Sequence, residues 1–141
     1  NQLLVEEELT DIKQLRSLAV DFLDNGGGSG EEFCDYCQGD RDPRSSDNPE
    51  KAIISLKNDR ETEYKVYIAV QNELVAAYNV LRNREFSRLY PNEGLTYVEA
   101  DLKYSDPRTS IDDKTDLKEK LDVIKALYPQ KLSEAEPSKV N

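Results

Sequence analysis

Cys34 and Cys37, separated by Asp35 and Tyr36, are the residues of this 141-residue chain whose type and spacing speak most directly of chemistry. A Cys-x-x-Cys pair can cycle between thiols and disulfide, supply half of a zinc site, or close a small covalent loop. Zinc would need two further ligands, and with no His and no third Cys only carboxylates remain. A redox pair of the thioredoxin kind opens a helix after a strand, whereas this pair sits in a loop flanked by Gly and Asp, and acidic neighbours disfavour a thiolate. A loop-closing disulfide or inert thiols therefore rank ahead of a redox enzyme using Cys34 and Cys37.

Asp59, Arg60 and Glu61 fall where a strand gives way to a helix, a natural place for a catalytic carboxylate. Nothing nearby supplies a partner acid, a nucleophile or a phosphate-binding Gly loop. Asp59 bonding backbone amides, with Glu61 favoured by the first-turn dipole, is the better reading, and a surface contact through Asp59 and Arg60 is compatible with it. Tyr64, Tyr67 and Tyr78 share helical spacing, which is more often core than an aromatic binding surface. Asp112, Asp113 and Asp116 lack the glycine and terminal glutamate of a calcium loop and read as a solvated helix start.

The composition narrows the classes. Nineteen basic against twenty-nine acidic residues give a formal charge of −10, which repels phosphate backbones and argues against nucleic acid as a partner. The absence of His removes the commonest general base, so no catalytic, metal or cofactor site is assigned and the chain is read as non-catalytic. No run approaches the roughly 20 apolar residues that cross a bilayer, so the piece is read as soluble. It begins at Asn1, with an apolar start too short for a signal peptide, and is expected to come from a longer parent.

The elements that must position these residues follow from periodicity. Leu3, Leu4 and Val5 form a short strand. Ile12, Leu15, Leu18, Ala19, Phe22 and Leu23 predict a helix, with Thr10 or Asp11 as cap and Asn25 and Gly26 as left-handed stops. Residues 25–50, with Gly26, Gly27, Gly28, Ser29 and Gly30 and then Pro43 and Pro49, read as a long, flexible surface excursion. Ala52 to Leu56 read as a buried strand ending at Asn58 and Asp59. A long helix follows from about Thr62 to Leu89, with Tyr64, Tyr67, Ile68, Gln71, Val75, Tyr78 and Leu81 on one face, Leu74 beside them, and Val70 and Ala77 widening the apolar arc. Residues 91–112 read as a second polar loop. Leu117, Leu121, Ile124 and Leu127 mark another helix, ended by Pro129. Lys131 to Ala135 form a last strand before a frayed tail. The expected fold is α+β: one domain over 1–141, a small mixed β-sheet with helices packed on one face. Three strands make a thin sheet, so a further strand is expected before Asn1 or from a second copy.

At the second strand and long helix the sequence resembles a known family. Ile53-Ile54-Ser55-Leu56-Lys57-Asn58-Asp59-Arg60, then Tyr64-Lys65-Val66-Tyr67-Ile68-Ala69-Val70-Gln71-Asn72-Glu73-Leu74-Val75-Ala76-Ala77-Tyr78-Asn79, is similar to the Bacteroidetes branch of the ExbD/TolR biopolymer-transport family. Gln2-Leu3-Leu4-Val5-Glu6, leading to Asp11-Ile12-Lys13-Gln14-Leu15-Arg16, and Tyr128-Pro129-Gln130-Lys131-Leu132-Ser133-Glu134-Ala135-Glu136-Pro137 fit the same branch. The three blocks span roughly half the chain. The loops at 25–50 and 91–112, with the cysteine pair, match no motif of that family.

The resemblance implies a dimeric periplasmic domain on the outer side of the bacterial inner membrane. Its full-length parent would carry a short tail and one transmembrane helix, whose aspartate works with an ExbB-type channel on the proton motive force. The implied partners are a second copy and a TonB-like protein that energises outer-membrane transport. The alternative is a TolR-like envelope-integrity subunit contacting peptidoglycan, for which Tyr36 or Tyr97 would supply aromatic platforms. A periplasmic setting also suits a Cys34–Cys37 disulfide. The expected recognition mode is β-augmentation, in which a sheet edge accepts an extended peptide. The terminal strand at Leu132, Ser133 and Glu134 is the candidate edge, and Asp59, Arg60 and Tyr64 complete the partner-binding set.

Overall fold

The structure, a computed structural model, describes residues 1–6, 12–57 and 64–135. Thr10 and Asp11 as caps, Asn58, Asp59, Arg60, Glu61 and Thr62 at the strand-to-helix turn, and the tail from Glu136 lie outside the described residues. In order, the chain forms β1 (Gln2–Glu6), α1 (Ile12–Leu23), β2 (Ile53–Lys57), α2 (Tyr64–Leu89), α3 (Tyr97–Ser105), α4 (Ile111–Leu127) and β3 (Leu132–Ala135). Single 3-10 turns at Gly30–Glu32 and Pro91–Glu93 interrupt the connections. The fold is α+β. It gathers into two compact units, Asn1–Ala77 with the segment from Gln130, and Tyr78–Pro129.

In the first unit the sheet order is β1-β2-β3, and both pairings are parallel. The expected mixed sheet is therefore corrected. Each described strand is reached through helical connections that return the chain to the same end of the sheet, and such crossovers make parallel neighbours. The register puts Leu3, Ile54 and Leu132 in one row and Val5, Leu56 and Glu134 in the next. Val5, Ile54 and Leu56 are buried on this face. The opposite face carries Leu4 and Ile53, 50% and 41% exposed, so the sheet has one dry side. Across that outer face Gln2 Nε2 donates to Ser55 Oγ at 2.5 Å, and the Ser55 and Ser133 hydroxyls lie 3.0 Å apart.

α1 buries Leu15, Ala19, Phe22 and Leu23 of the expected stripe, while Ile12 is half-buried and Leu18 is exposed at its margin. The buried stripe of α2 is Val70, Leu74, Ala77, Tyr78 and Leu81, all within the expected apolar arc, while Tyr67, Ile68 and Gln71 are only half-buried. Tyr64 is 77% exposed and Val75 lies at the surface. At a helix start a tyrosine can project past the core, which leaves the aromatic end of the expected face at the surface.

The connection at 25–50 is ordered, which corrects the reading of a flexible tract. Gly27 and Gly39 there answer close packing. A Cβ at Gly27 would lie 2.2 Å from the Asp42 carbonyl oxygen, and one at Gly39 would lie 2.5 Å from that of Asp24. Of the two expected stop residues only Gly26 takes a left-handed conformation, with φ +66°. Asn25 instead spends its side chain, donating to the Asp42 and Ser46 carbonyls at 2.9 and 2.7 Å. Ser46 Oγ donates to the Phe22 carbonyl at the end of α1.

The second unit corrects the loop read over 91–112, which contains α3. Thr96 and Glu99 form a reciprocal capping box, Thr96 Oγ1 accepting from the Glu99 amide at 3.1 Å and Glu99 Oε1 from the Thr96 amide at 3.0 Å. Pro91, Gly94 and Pro107 punctuate around that helix rather than through it. Ser110 caps α4 by accepting from the Asp113 amide, so Asp112, Asp113 and Asp116 do belong to a solvated helix start. Phe86, Tyr97, Ala100, Leu117, Leu121 and Ile124 form this unit's core. Buried Arg82 donates from Nε and Nη2 to the Tyr128 carbonyl at 3.1 and 2.8 Å, so a guanidinium closes the C-terminus of α4. Arg82 also lies over the rings of Tyr78 and Tyr97 at 5.8 and 5.4 Å.

Gly39→Ala is expected to destabilise the protein by about 2 kcal/mol, because the Cβ meets backbone that cannot turn aside; urea unfolding followed by circular dichroism checks it. A pH effect follows from Tyr97, whose hydroxyl burial pushes above the ordinary tyrosine range despite the opposing pull of Arg82. A raised folded value favours the neutral hydroxyl, so its contribution is intact below about pH 10 and is lost as pH rises through the folded value. Tyr97→Phe should therefore show a smaller alkaline drop in urea midpoint than the wild type.

Candidate functional site

An edge strand offers what a folded sheet otherwise hides, a row of unpaired backbone donors and acceptors. Among the described residues β3 pairs with β2 alone, and β2 is bonded on both sides. The Ile54 amide donates to the Lys131 carbonyl at 3.0 Å. In a parallel ladder alternate residues turn their backbone groups to opposite neighbours. The amides and carbonyls of Leu132 and Glu134 therefore face away from β2, and Ser133 faces it. Ser133 and Glu134 are exposed and Leu132 is half-buried.

Glu134 is held from α2. Its carboxylate accepts from the Tyr67 hydroxyl and from Gln71 Nε2 at 3.5 Å, and Gln71 Nε2 donates to the Tyr67 oxygen at 2.8 Å. The exposed Tyr64 ring stands 6.4 Å from that of Tyr67, tilted by 35°. Of the expected partner-binding residues, the structure brings Tyr64, Leu132, Ser133 and Glu134 to one side of the first unit. Asp59 and Arg60 lie outside the described residues. Sequence reasoning missed Tyr67 and Gln71 as the groups that aim Glu134; their spacing of four on one helix face was the available signal. Arg16 adds a two-point ion pair to Glu73 at 2.8 and 3.2 Å, joining α1 to this part of α2.

Cys34 and Cys37 are joined as a disulfide, each 3% exposed. Tyr97 is 5% exposed within the second unit's core, which corrects its reading as a sugar platform; Tyr36 is half-buried. An open cavity of about 370 Å³ lies in the second unit, lined by Ser87, Tyr90, Leu95, Thr96 and Glu99 among others. The Thr96 and Glu99 side chains there are committed to the capping box. Lys120 sits over the Tyr90 ring at 5.6 Å, and its hydrogen bonds to Glu93 and then Asp116 raise its pKa above the ordinary lysine value. No group of three or more potential metal ligands occurs among the described residues, and no helix there is long and apolar enough to cross a membrane.

The charge is divided unevenly. Tyr78–Pro129 carries nine basic against ten acidic residues, so nearly all of the formal charge of −10 falls on the rest of the sequence. Residues 24–50 alone hold eight acids against Arg41 and Arg44. Several are engaged locally. Asp42 is held below the usual carboxylate range by the backbone amide and then the guanidinium of Arg44, and Glu32 raises the pKa of Lys51 through a 2.9 Å ion pair.

No protein-family model, curated protein or solved structure matches this chain. The fold and the site by themselves define a class: an acidic α+β domain presenting a parallel sheet edge whose last strand is steadied from a neighbouring helix.

Tyr67→Phe removes the hydroxyl between α2 and Glu134. The expected cost is about 1 kcal/mol, seen as roughly five-fold faster hydrogen exchange at the β3 amides bonded to β2. Unchanged exchange there would mean that Glu134 is not held.

Proposed function

We propose that this chain is the periplasmic dimerisation and partner-binding domain of an ExbD-type subunit of a proton-driven ExbB-ExbD-TonB motor. It docks an extended, lysine-rich segment of a TonB-like protein on the outer edge of β3. The observation that carries this reading is the edge itself: the outward backbone groups of Leu132 and Glu134, with the Glu134 carboxylate beside them. β-augmentation draws affinity from such main-chain bonds and specificity from alternate side chains. The resemblance of β1, β2 with the first half of α2, and β3 to the ExbD/TolR family supplies the partner class. The acidity of the sequence outside Tyr78–Pro129 supports a cationic partner. The domain binds rather than turns over a substrate, and the motor's proton path belongs to the transmembrane helix of the parent and its ExbB-type channel.

Opposite charge speeds encounter more than it slows escape. An extended lysine-rich peptide should associate more slowly as salt is raised, with a nearly constant dissociation rate, in surface-based kinetics. Glu134→Gln should reduce that salt dependence and keep the complex. Glu134→Pro deletes one outward amide together with the carboxylate that Tyr67 holds, keeps the backbone bonds between β2 and β3, and should abolish binding where Glu134→Gln does not. Full binding by Glu134→Pro would remove the edge as the docking site.

A further inference from the structure

The connection between α1 and β2 is organised around one guanidinium. Arg41 Nη1 donates to the Cys34 carbonyl at 2.8 Å and to that of Gly26 at 3.3 Å, and Nη2 donates to the Cys37 carbonyl at 2.6 Å. The guanidinium lies 4.8 Å from the centre of the Phe33 ring. Both carbonyls of the bridged cysteines are thus aimed at a single fork. Arg41 takes a left-handed φ of 55°, and its amide donates to the Asn25 carbonyl at 2.9 Å. From Asn25 the bonds run on to Asp42 and Ser46, and the Gly27 and Gly28 amides donate to the carbonyls of Ser46 and Asp47 at 2.9 and 3.0 Å.

The far side of this connection grips the sheet at two points. The Asp47 amide donates to Asn1 Oδ1 at 2.7 Å, and Asn1 Nδ2 donates to Asp47 Oδ2 at 3.2 Å. Lys131 Nζ donates to the Glu50 carbonyl. Asn1 and Lys131 immediately precede β1 and β3. Their own carbonyls accept the first ladder bonds of β2, from Ile53 at 2.9 Å and Ile54 at 3.0 Å. The loop therefore holds the first rung on each side of the central strand.

The geometry points to the Cys34–Cys37 disulfide as a redox-controlled latch on both edges of the sheet. A ring closed between residues three apart removes little chain entropy, so its effect must be local, through the spacing it imposes on the two carbonyls that Arg41 binds. Reduction by a dithiol opens it. One thiolate of the reductant attacks a bridge sulfur and forms a mixed disulfide, and its second thiol resolves that intermediate. Two electrons and two protons end on Cys34 and Cys37, and the reductant leaves as its own disulfide. The Cys34 and Cys37 carbonyls then no longer keep the spacing that the Arg41 fork requires, which weakens the bonds that offset a left-handed backbone for a non-glycine residue. The anchors on Asn1 and Lys131 loosen with it. This inference does not rest on the peptide-docking reading.

The test is amide hydrogen exchange on the full chain, oxidised and after treatment with dithiothreitol, with thiol titration to verify reduction. Exchange at Ile53 and Ile54 should rise about ten-fold on reduction, as for a local opening, with the amides of Leu117–Ile124 unchanged. Arg41→Gln with the bridge intact should reproduce the rise. Unchanged Ile53 and Ile54 in the reduced protein or in Arg41→Gln would overturn the proposal. So would a bridge that is reduced only as the α4 amides open too, because it would then be a staple of the whole fold.

Discussion

Ile53–Lys57 can take a parallel partner on each side only because the chain leaves the far end of a strand and travels back before the next one begins. A tight turn cannot make that return. The length of the connections, α1 with its ordered loop on one side and α2 through α4 on the other, is the consequence of a central strand bonded to two parallel neighbours. The same constraint leaves two edges. In larger parallel sheets further strands or helices cover such edges; among the described residues of this sheet, β1 and β3 each have one neighbour.

Among the described residues the edge at β3 is steadied rather than hidden. Tyr67 and Gln71 hold Glu134 from one face, while Ser133 lies against the buried Ser55 on the other. Both sets of side chains act at right angles to the strand, so neither occupies the outward backbone groups of Leu132 and Glu134. An edge held in place in this way limits the ordering cost when an extended segment adds to it. The loop at 24–50 works on the other end of the same strands, at Asn1 and Lys131, through backbone and side-chain bonds rather than apolar burial.

Much of this was legible in the sequence. The short apolar run of Ala52–Leu56, the stripe of Leu15, Ala19, Phe22 and Leu23, and the spacing of Leu117, Leu121 and Ile124 each correspond to the element they predict. The loop at 25–50 was not legible as an ordered one, because Gly, Ser, Asp and Pro compose both flexible tracts and tightly bonded ones. What separates the two here is a set of contacts between residues far apart in sequence, such as Asn25 with Ser46 and Arg41 with Gly26. α3 was missed although Thr96 and Glu99 carried its capping signal, since the Pro and Gly residues around it outweighed a nine-residue helix. At the candidate site the strand was readable and its support was not. Tyr67 was assigned to a core stripe, and only the packing of α2 against β3 sends its hydroxyl to Glu134.

Docking of an extended cationic segment on the outer edge of β3 is read out by amide exchange at single-residue resolution. The map would be recorded with and without a saturating lysine-rich peptide. New protection is expected at Leu132 and Glu134, whose amides face outward, and little change at Ser133, which already faces β2. Protection that leaves Leu132 and Glu134 untouched, or that appears only in Tyr78–Pro129, would contradict docking at this edge.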